Sequence, residues 1–210
     1  MVADTIERLS AEIAACRVCR DAPLGGPDKA LPHEPRPVVV LSRTARVLIA
    51  SQAPGLRVHE TGLPFNDASG NRLRDWMGVT REQFYDPSLI AIMPMGLCFP
   101  GYDRNGGDMP PRRECAPLWR ARGLALMPQI ELVLTVGQYA HKWHIAPPKG
   151  ETMTETVHRW KTILATPTNG PAILPLPHPS WRNTGWLKRN PWFEAELLPE
   201  LKKLVQCKIG

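Results

Sequence analysis

Four short apolar runs, at residues 46–51, 89–93, 132–137 and 172–176, punctuate the chain, and the segments between them carry apolar residues at helical spacing. Short apolar runs bounded by turn-forming residues suit strands buried on both faces, and strands that alternate with helices imply a parallel sheet covered on each side. The pattern therefore predicts an α/β fold, a three-layer αβα sandwich around a central four-stranded parallel sheet. Ile6, Leu9, Ile13 and Cys16 predict an amphipathic helix over 5–17 that ends near Cys19. Residues 71–77 predict a crossover helix after a turn holding Asp67 and Gly70, and residues 111–127 a second, with prolines at its start where helices tolerate them. A short helix is expected at 138–144, and a closing helix at 188–205 with Trp192, Leu197, Leu201 and Val205 as its buried stripe. Residues 23–37, rich in proline and glycine, read as an extended surface loop.

Length and composition add limits. The 210 residues, 43% of them hydrophobic, are enough to bury one substantial core, and without an internal repeat or low-complexity tract a single domain over 1–210 is expected. There is no run of about 18 apolar residues, and the first five residues lack the charged-then-apolar plan of a secretory signal, so a cytoplasmic protein that meets no membrane is expected. Nothing in the pattern asks for more than a monomer. A formal charge of +6 and a pI near 9.3 favour a polyanionic partner such as nucleic acid. Basic residues gather in two places, Arg112 and Arg113 through Arg120 and Arg122, and Arg182 through Lys188 and Arg189; solvated helix faces are the alternative reading of both.

The candidate chemistry sits where strands should end. Ser51-Gln52-Ala53-Pro54-Gly55 follows the first apolar run directly, and His178-Pro179-Ser180 follows the fourth. In open parallel sheets ligands bind outside the carboxyl ends of strands, so these two turns are predicted to face each other across one pocket. With Thr61-Gly62-Leu63-Pro64-Phe65, Gly70 and Leu73, the first segment resembles the first motif of the uracil-DNA glycosylase superfamily, and especially that of its iron-sulfur branch; His178-Pro179-Ser180 resembles the second motif. The likeness covers most of the chain, since the Gly137-Gln138-Tyr139-Ala140 turn and the basic C-terminal helix also fall where that family has them.

The resemblance implies an enzyme that flips a nucleotide from the DNA stack, reads its edge in a fitted pocket and hydrolyses the bond to the sugar. Phe65 would offer an aromatic face to the base, Gln52 and Ala53 would contact it through their backbone, and Asn66 would help to select it. His178 would donate a hydrogen bond as negative charge develops on the leaving base. Relatives commonly place a carboxylate in the first motif, where this chain has Gln52 and Ala53; Asp67 is the first choice to replace it, with helix capping as its alternative role. An asparagine that reads uracil in relatives falls here on Pro94, which has no side-chain hydrogen bond and no amide donor. Trp181 is placed to wedge into the duplex, with Ser180, Arg182, Asn183, Lys188 and Arg189 against the backbone. Trp186 and Trp192 read as core.

Five cysteines in a cytoplasmic protein do not suggest a disulfide framework. Cys16-x-x-Cys19, Cys98 and Cys115 are similar in order and spacing to the thiolates that hold a 4Fe-4S cluster in the related branch. A four-thiolate zinc site and no metal at all stay open on the residues alone, and Cys207 fits no pattern. The expected activity is hydrolytic excision of uracil or a related deaminated base from DNA in base excision repair. The alternatives are a hypoxanthine- or xanthine-directed glycosylase, and a non-catalytic protein of the same fold that binds lesions or abasic sites.

Overall fold

The computed structural model describes residues 4–166 and 169–210; the first three residues of the N-terminal reading lie outside this range. Four strands form one all-parallel sheet: β1 (Val47–Ala50), β2 (Ile90–Ile92), β3 (Leu132–Val136) and β4 (Ala172–Leu176), in the order β2-β1-β3-β4. Successive side chains of a strand point to opposite faces. Accordingly Val47 and Ile49 of β1 enter one core with Leu73, Met77, Phe84, Leu201 and Val205, while Leu48 and Ala50 enter the other with Leu9, Ile13, Met127 and Ala140. Each face of the sheet is thus sealed by helices, and the sandwich read from the apolar pattern is the observed fold.

Element ends differ from the periodicity reading in ways that matter to the site. The N-terminal helix stops at Ala14, and a separate turn of helix, Val18–Asp21, carries Cys19. The first crossover helix begins earlier than expected, at Ala68, because the Asp67 side chain accepts the Gly70 amide and starts it there. The second runs over Cys115–Ala125. The expected closing helix is instead three segments, Thr184–Arg189, a π-helical Phe193–Leu197, and Leu198–Ile209. Pro191 explains the interruption, since it disfavours the α conformation at Asn190 and removes an amide. Leu197, Leu201 and Val205 are fully buried, with Phe193 beside them; Trp192 is only partly buried.

Four further helices, Leu56–Thr61, Arg81–Tyr85, Met153–His158 and Trp160–Ala165, were invisible to periodicity because none is long enough to show it. Two of them carry capping boxes, Thr80 with Gln83 and Thr152 with Glu155, which were legible in the sequence. Among the described residues no helix is long and apolar enough to cross a membrane.

Candidate active site

Strand order reverses beside β1: β2 lies on one side of it and β3 on the other. Connections leaving the carboxyl ends of the strands diverge at such a point and open a crevice. The loop after β1 is tied to the loop after β2, with the Met95 amide bonded to the Ser51 carbonyl and the Gly96 amide to that of Gln52, both at 2.8 Å. On the far side, His141 contacts the carbonyls of Thr135 and Leu176 through Nε2 and so fastens the ends of β3 and β4 together. Between these fixed rims lies a cavity of about 380 Å³, lined among others by Ser51, Ala53, Pro54, Phe65, Asp67, Pro94, Tyr102, Asp108, His178, Trp181 and Arg182. Two motifs more than a hundred residues apart therefore meet across a nucleobase-sized space.

Phe65 is held in an unusual way. Its φ of 54° lies in the left-handed region, costly for an aromatic residue. The first turn of the Ala68–Met77 helix runs so close beneath it that a Cβ on Gly70 would sit 1.8 Å from the Phe65 carbonyl oxygen, so only glycine fits there. The Arg74 guanidinium also reaches that oxygen, at 3.5 Å, and the Phe84 ring meets the Phe65 ring edge-on at 5.9 Å. Asp67, two residues on, both caps the helix and lines the cavity.

His178 is fixed by its backbone. Its neighbours Pro177 and Pro179 are buried, and its carbonyl accepts a 2.7 Å hydrogen bond from Asn183 Nδ2. Arg72 donates to the Ser180 carbonyl at 2.9 Å and to Thr184 Oγ1 at 3.3 Å, which ties the following turn to the first crossover helix. The imidazole has no hydrogen-bond partner among the described residues, and it borders the cavity. Burial holds it below the ordinary histidine range, while the charge of Asp67 acts in the opposite direction. At neutral pH the ring is thus uncharged, with one N–H to give.

The Uracil DNA glycosylase superfamily is the family whose sequence profile this chain matches, over residues 39–202. The chain belongs to the uracil DNA glycosylase superfamily. That family acts on DNA.

Not every residue expected at the glycosylase pocket reaches it. Gln52 does not line the cavity, since its side chain lies against Gly137, where a Cβ would approach Gln52 Nε2 to 3.1 Å. Asn66 is likewise off the cavity, its Oδ1 accepting from Arg81 at 3.3 Å. Asn183 serves the His178 backbone. Trp181, 74% exposed, stands at the mouth with Arg182 stacked over its ring. Lys188 and Arg189 are exposed on the next helix, outside the cavity.

In the other basic cluster three of the four arginines are held by internal bonds, while Arg113 is exposed. Arg120 is 1% exposed and donates to the Met93 carbonyl, Arg112 pairs with Glu114, and Arg122 pairs with Asp4 and Glu12. Arg72 and Asp108 were not singled out from sequence; neither stands in a spacing that separates it from an ordinary surface residue.

The four expected cysteines come together away from the base pocket. Cys16, Cys19, Cys98 and Cys115 line one small cleft, with a cavity volume of about 10 Å³, together with Pro35, Pro37, Leu97, Arg112 and Trp119. Among the described residues no three His, Cys, Asp or Glu side chains are grouped so as to hold a metal ion. Several donors aim at the sulfurs: the Leu97 amide at Cys115 Sγ at 3.2 Å, the Arg36 amide at Cys98, and the Arg112 side chain at Cys19. Burial pushes the Cys98 and Cys115 thiols up to about 12. Arg112 Nε is buried on this wall with no hydrogen-bond partner among the described residues, an orphan donor that ordinarily finds one. Cys207 is exposed on the last helix, apart from this group.

Proposed function

We propose that this protein removes uracil, or a related deaminated base, from DNA by hydrolysis of the N-glycosidic bond, as a first step of base excision repair. The observation that carries this reading is the convergence of Phe65, Asp67 and His178 on one cavity at the carboxyl ends of parallel strands. The flipped base stacks on Phe65, and its carbonyl edge turns towards His178. As the bond to C1′ breaks, its electron pair leaves with the base, and the neutral imidazole N–H meets the growing negative charge. A donor fixed in advance inside a partly desolvated site strengthens as that charge develops, which lowers the barrier. The sugar becomes cation-like, with the Asp67 carboxylate as a nearby counter-charge. Water then adds at C1′, leaving a free base and an abasic site.

The exposed Trp181 at the cavity rim would act as the wedge that fills the gap in the duplex, and the exposed Arg182, Lys188 and Arg189 would meet phosphates. Pro94 on the cavity wall lacks both a polar side chain and an amide, so the base edge is read by backbone groups and by Ser51, Asp67 and His178.

The cysteine cavity fits a four-thiolate 4Fe-4S cluster held by Cys16, Cys19, Cys98 and Cys115. Four thiols on one cleft are the usual complement of such a cluster, and the orphaned Arg112 donor would gain a sulfide to bond. When bound, the cluster serves as a cross-link between the N-terminal segment and the 98–115 region.

Defined duplexes bearing uracil, hypoxanthine or xanthine, incubated with the purified protein and then cleaved with alkali, test the reading. Strand scission at uracil is expected. Scission at hypoxanthine or xanthine alone assigns a purine-directed enzyme, and gel-shift binding with no scission on any duplex overturns catalysis in favour of lesion binding.

A further inference from the structure

We infer that Asp108 is the base that takes a proton from the attacking water, an inference that rests on the hydrolysis proposed above. The first motif supplies no carboxylate, and Gln52 is turned away against Gly137. Two acidic side chains line the cavity, Asp67 and Asp108. Asp67 is committed through Oδ1 to the Gly70 amide at 2.8 Å. The Asp108 carboxylate makes neither a hydrogen bond nor an ion pair among the described residues, so both of its oxygens are available to water.

Its place is set by a structured loop. Tyr102 and Asp108 form an antiparallel bridge, and the Met109 amide bonds the Gly101 carbonyl at 2.9 Å. Asp103 closes the turn by accepting the Asn105 and Gly107 amides at 2.8 and 2.9 Å. Asp103 thus shapes the loop, and Asp108 presents its carboxylate to the cavity mouth. Asp108 is exposed in the free protein, yet the protein around it makes burial the largest influence on its carboxyl, which is raised; Asp67 and Asp103 push it the same way and Arg182 opposes them. His178, also on the cavity wall, is held neutral. A carboxylate with a raised pKa and free oxygens is better matched to proton abstraction than one stabilised as an anion.

In the step, after the C1′–N electron pair has departed with the base beneath His178, the water oxygen bonds to C1′ while one of its protons passes to Asp108. Asp108 ends protonated and returns that proton to solvent. No oxidant, reductant or further reactant is needed.

The test is single-turnover excision from a uracil-bearing duplex by the full-length holoprotein and by Asp108→Asn, Asp108→Glu and Asp103→Asn, each across pH. Asp108→Asn is expected to lower the rate by about a hundredfold or more, the usual share of a general base. Its gel-shift affinity should stay within a few-fold of wild type, which also reports that it is folded. The wild-type rate falls as pH falls through the raised carboxyl; Asp108→Asn loses that limb, and Asp108→Glu recovers part of it. Asp103→Asn keeps it. An Asp108→Asn rate within about threefold of wild type, with the acid limb intact, overturns the inference, since a general base contributes far more than that. An equal loss in Asp103→Asn does so too, because it assigns the effect to loop charge. If wild type itself excises no base, the proposed function fails, and this inference with it.

Discussion

Phe65 and Asp67 show how one short segment combines strain, capping and chemistry. A non-glycine residue in the left-handed region costs on the order of 1–3 kcal/mol and persists only where its surroundings insist on it. Here the insistence comes from Gly70, whose missing Cβ lets the helix press against the Phe65 carbonyl. The two roles of Asp67 can be separated. Asparagine caps a helix about as well as aspartate, so Asp67→Asn should keep unfolding stability within a few tenths of a kcal/mol, while Asp67→Ala should lose about 1 kcal/mol. Both variants should excise more slowly than wild type, by about tenfold or more, because both remove the negative charge beside the sugar cation. Urea melts and single-turnover rates check the pair. Wild-type excision by Asp67→Asn would reduce Asp67 to a cap. His178 was legible in sequence because it follows a strand end, and Phe65 and Asp67 because they fall within or beside a stretch that resembles the family's first motif. Asp108 and Arg72 were not, since what singles them out is the tertiary contact each makes.

At the scale of elements, the Cys115–Ala125 helix joins the two sites. Its first residue lines the cysteine cavity, and Arg120, one turn and a half later, lies buried beneath the end of β2, bonded to the Met93 carbonyl and His144. Burial without a carboxylate partner lowers Arg120 to about 10, so it stays charged at neutral pH and its positive field reaches the pocket floor near Pro94. Whatever fixes the start of this helix also fixes that floor. Cys19→Ala should therefore strip iron and sulfide and the brown colour from the protein and cost about 3 kcal/mol of stability, or roughly 6–12 °C in thermal midpoint for a chain of this length. The excision rate of the fraction still folded should change only a few-fold. Wild-type protein that is colourless, iron-free and fully active would exclude the cluster.

For the whole molecule, the formal charge of +6 is not spread evenly in meaning. The arginines at 112, 120 and 122 are consumed by internal bonds and ion pairs, whereas Arg182, on the cavity wall, and Lys188 and Arg189, on the next helix, stand exposed. Stability should also depend on acidity through histidines buried in the neutral form. Burial lowers His141 to about 4 and His144 to about 3, with the Arg120 charge adding to the effect at His144. An unfolded chain binds these protons near 6.5, so it gains protons before the folded state does, and stability falls as pH drops from about 6.5 towards 4. For His141 alone the full loss is about 3 kcal/mol at most. Urea unfolding at neutral pH and near pH 4 should show this loss in wild type and a smaller one in His141→Gln. Equal slopes in the two proteins would count against it.

Local pattern by itself determined the four strands, their burial on both faces and the motifs at two strand ends, while the grouping of the four cysteines came from the family resemblance. The strands, their burial and the motifs follow from side-chain periodicity or from chemistry confined to a few neighbouring residues. Only the tertiary structure decided that the first motif's Gln52 turns away, that Asn66 and Asn183 serve the scaffold, that most of one arginine cluster points inward and that Asp108 joins the pocket. These outcomes depend on which loops meet at the carboxyl edge of the sheet. That meeting is set by strand order and close packing, which no local run of residues encodes.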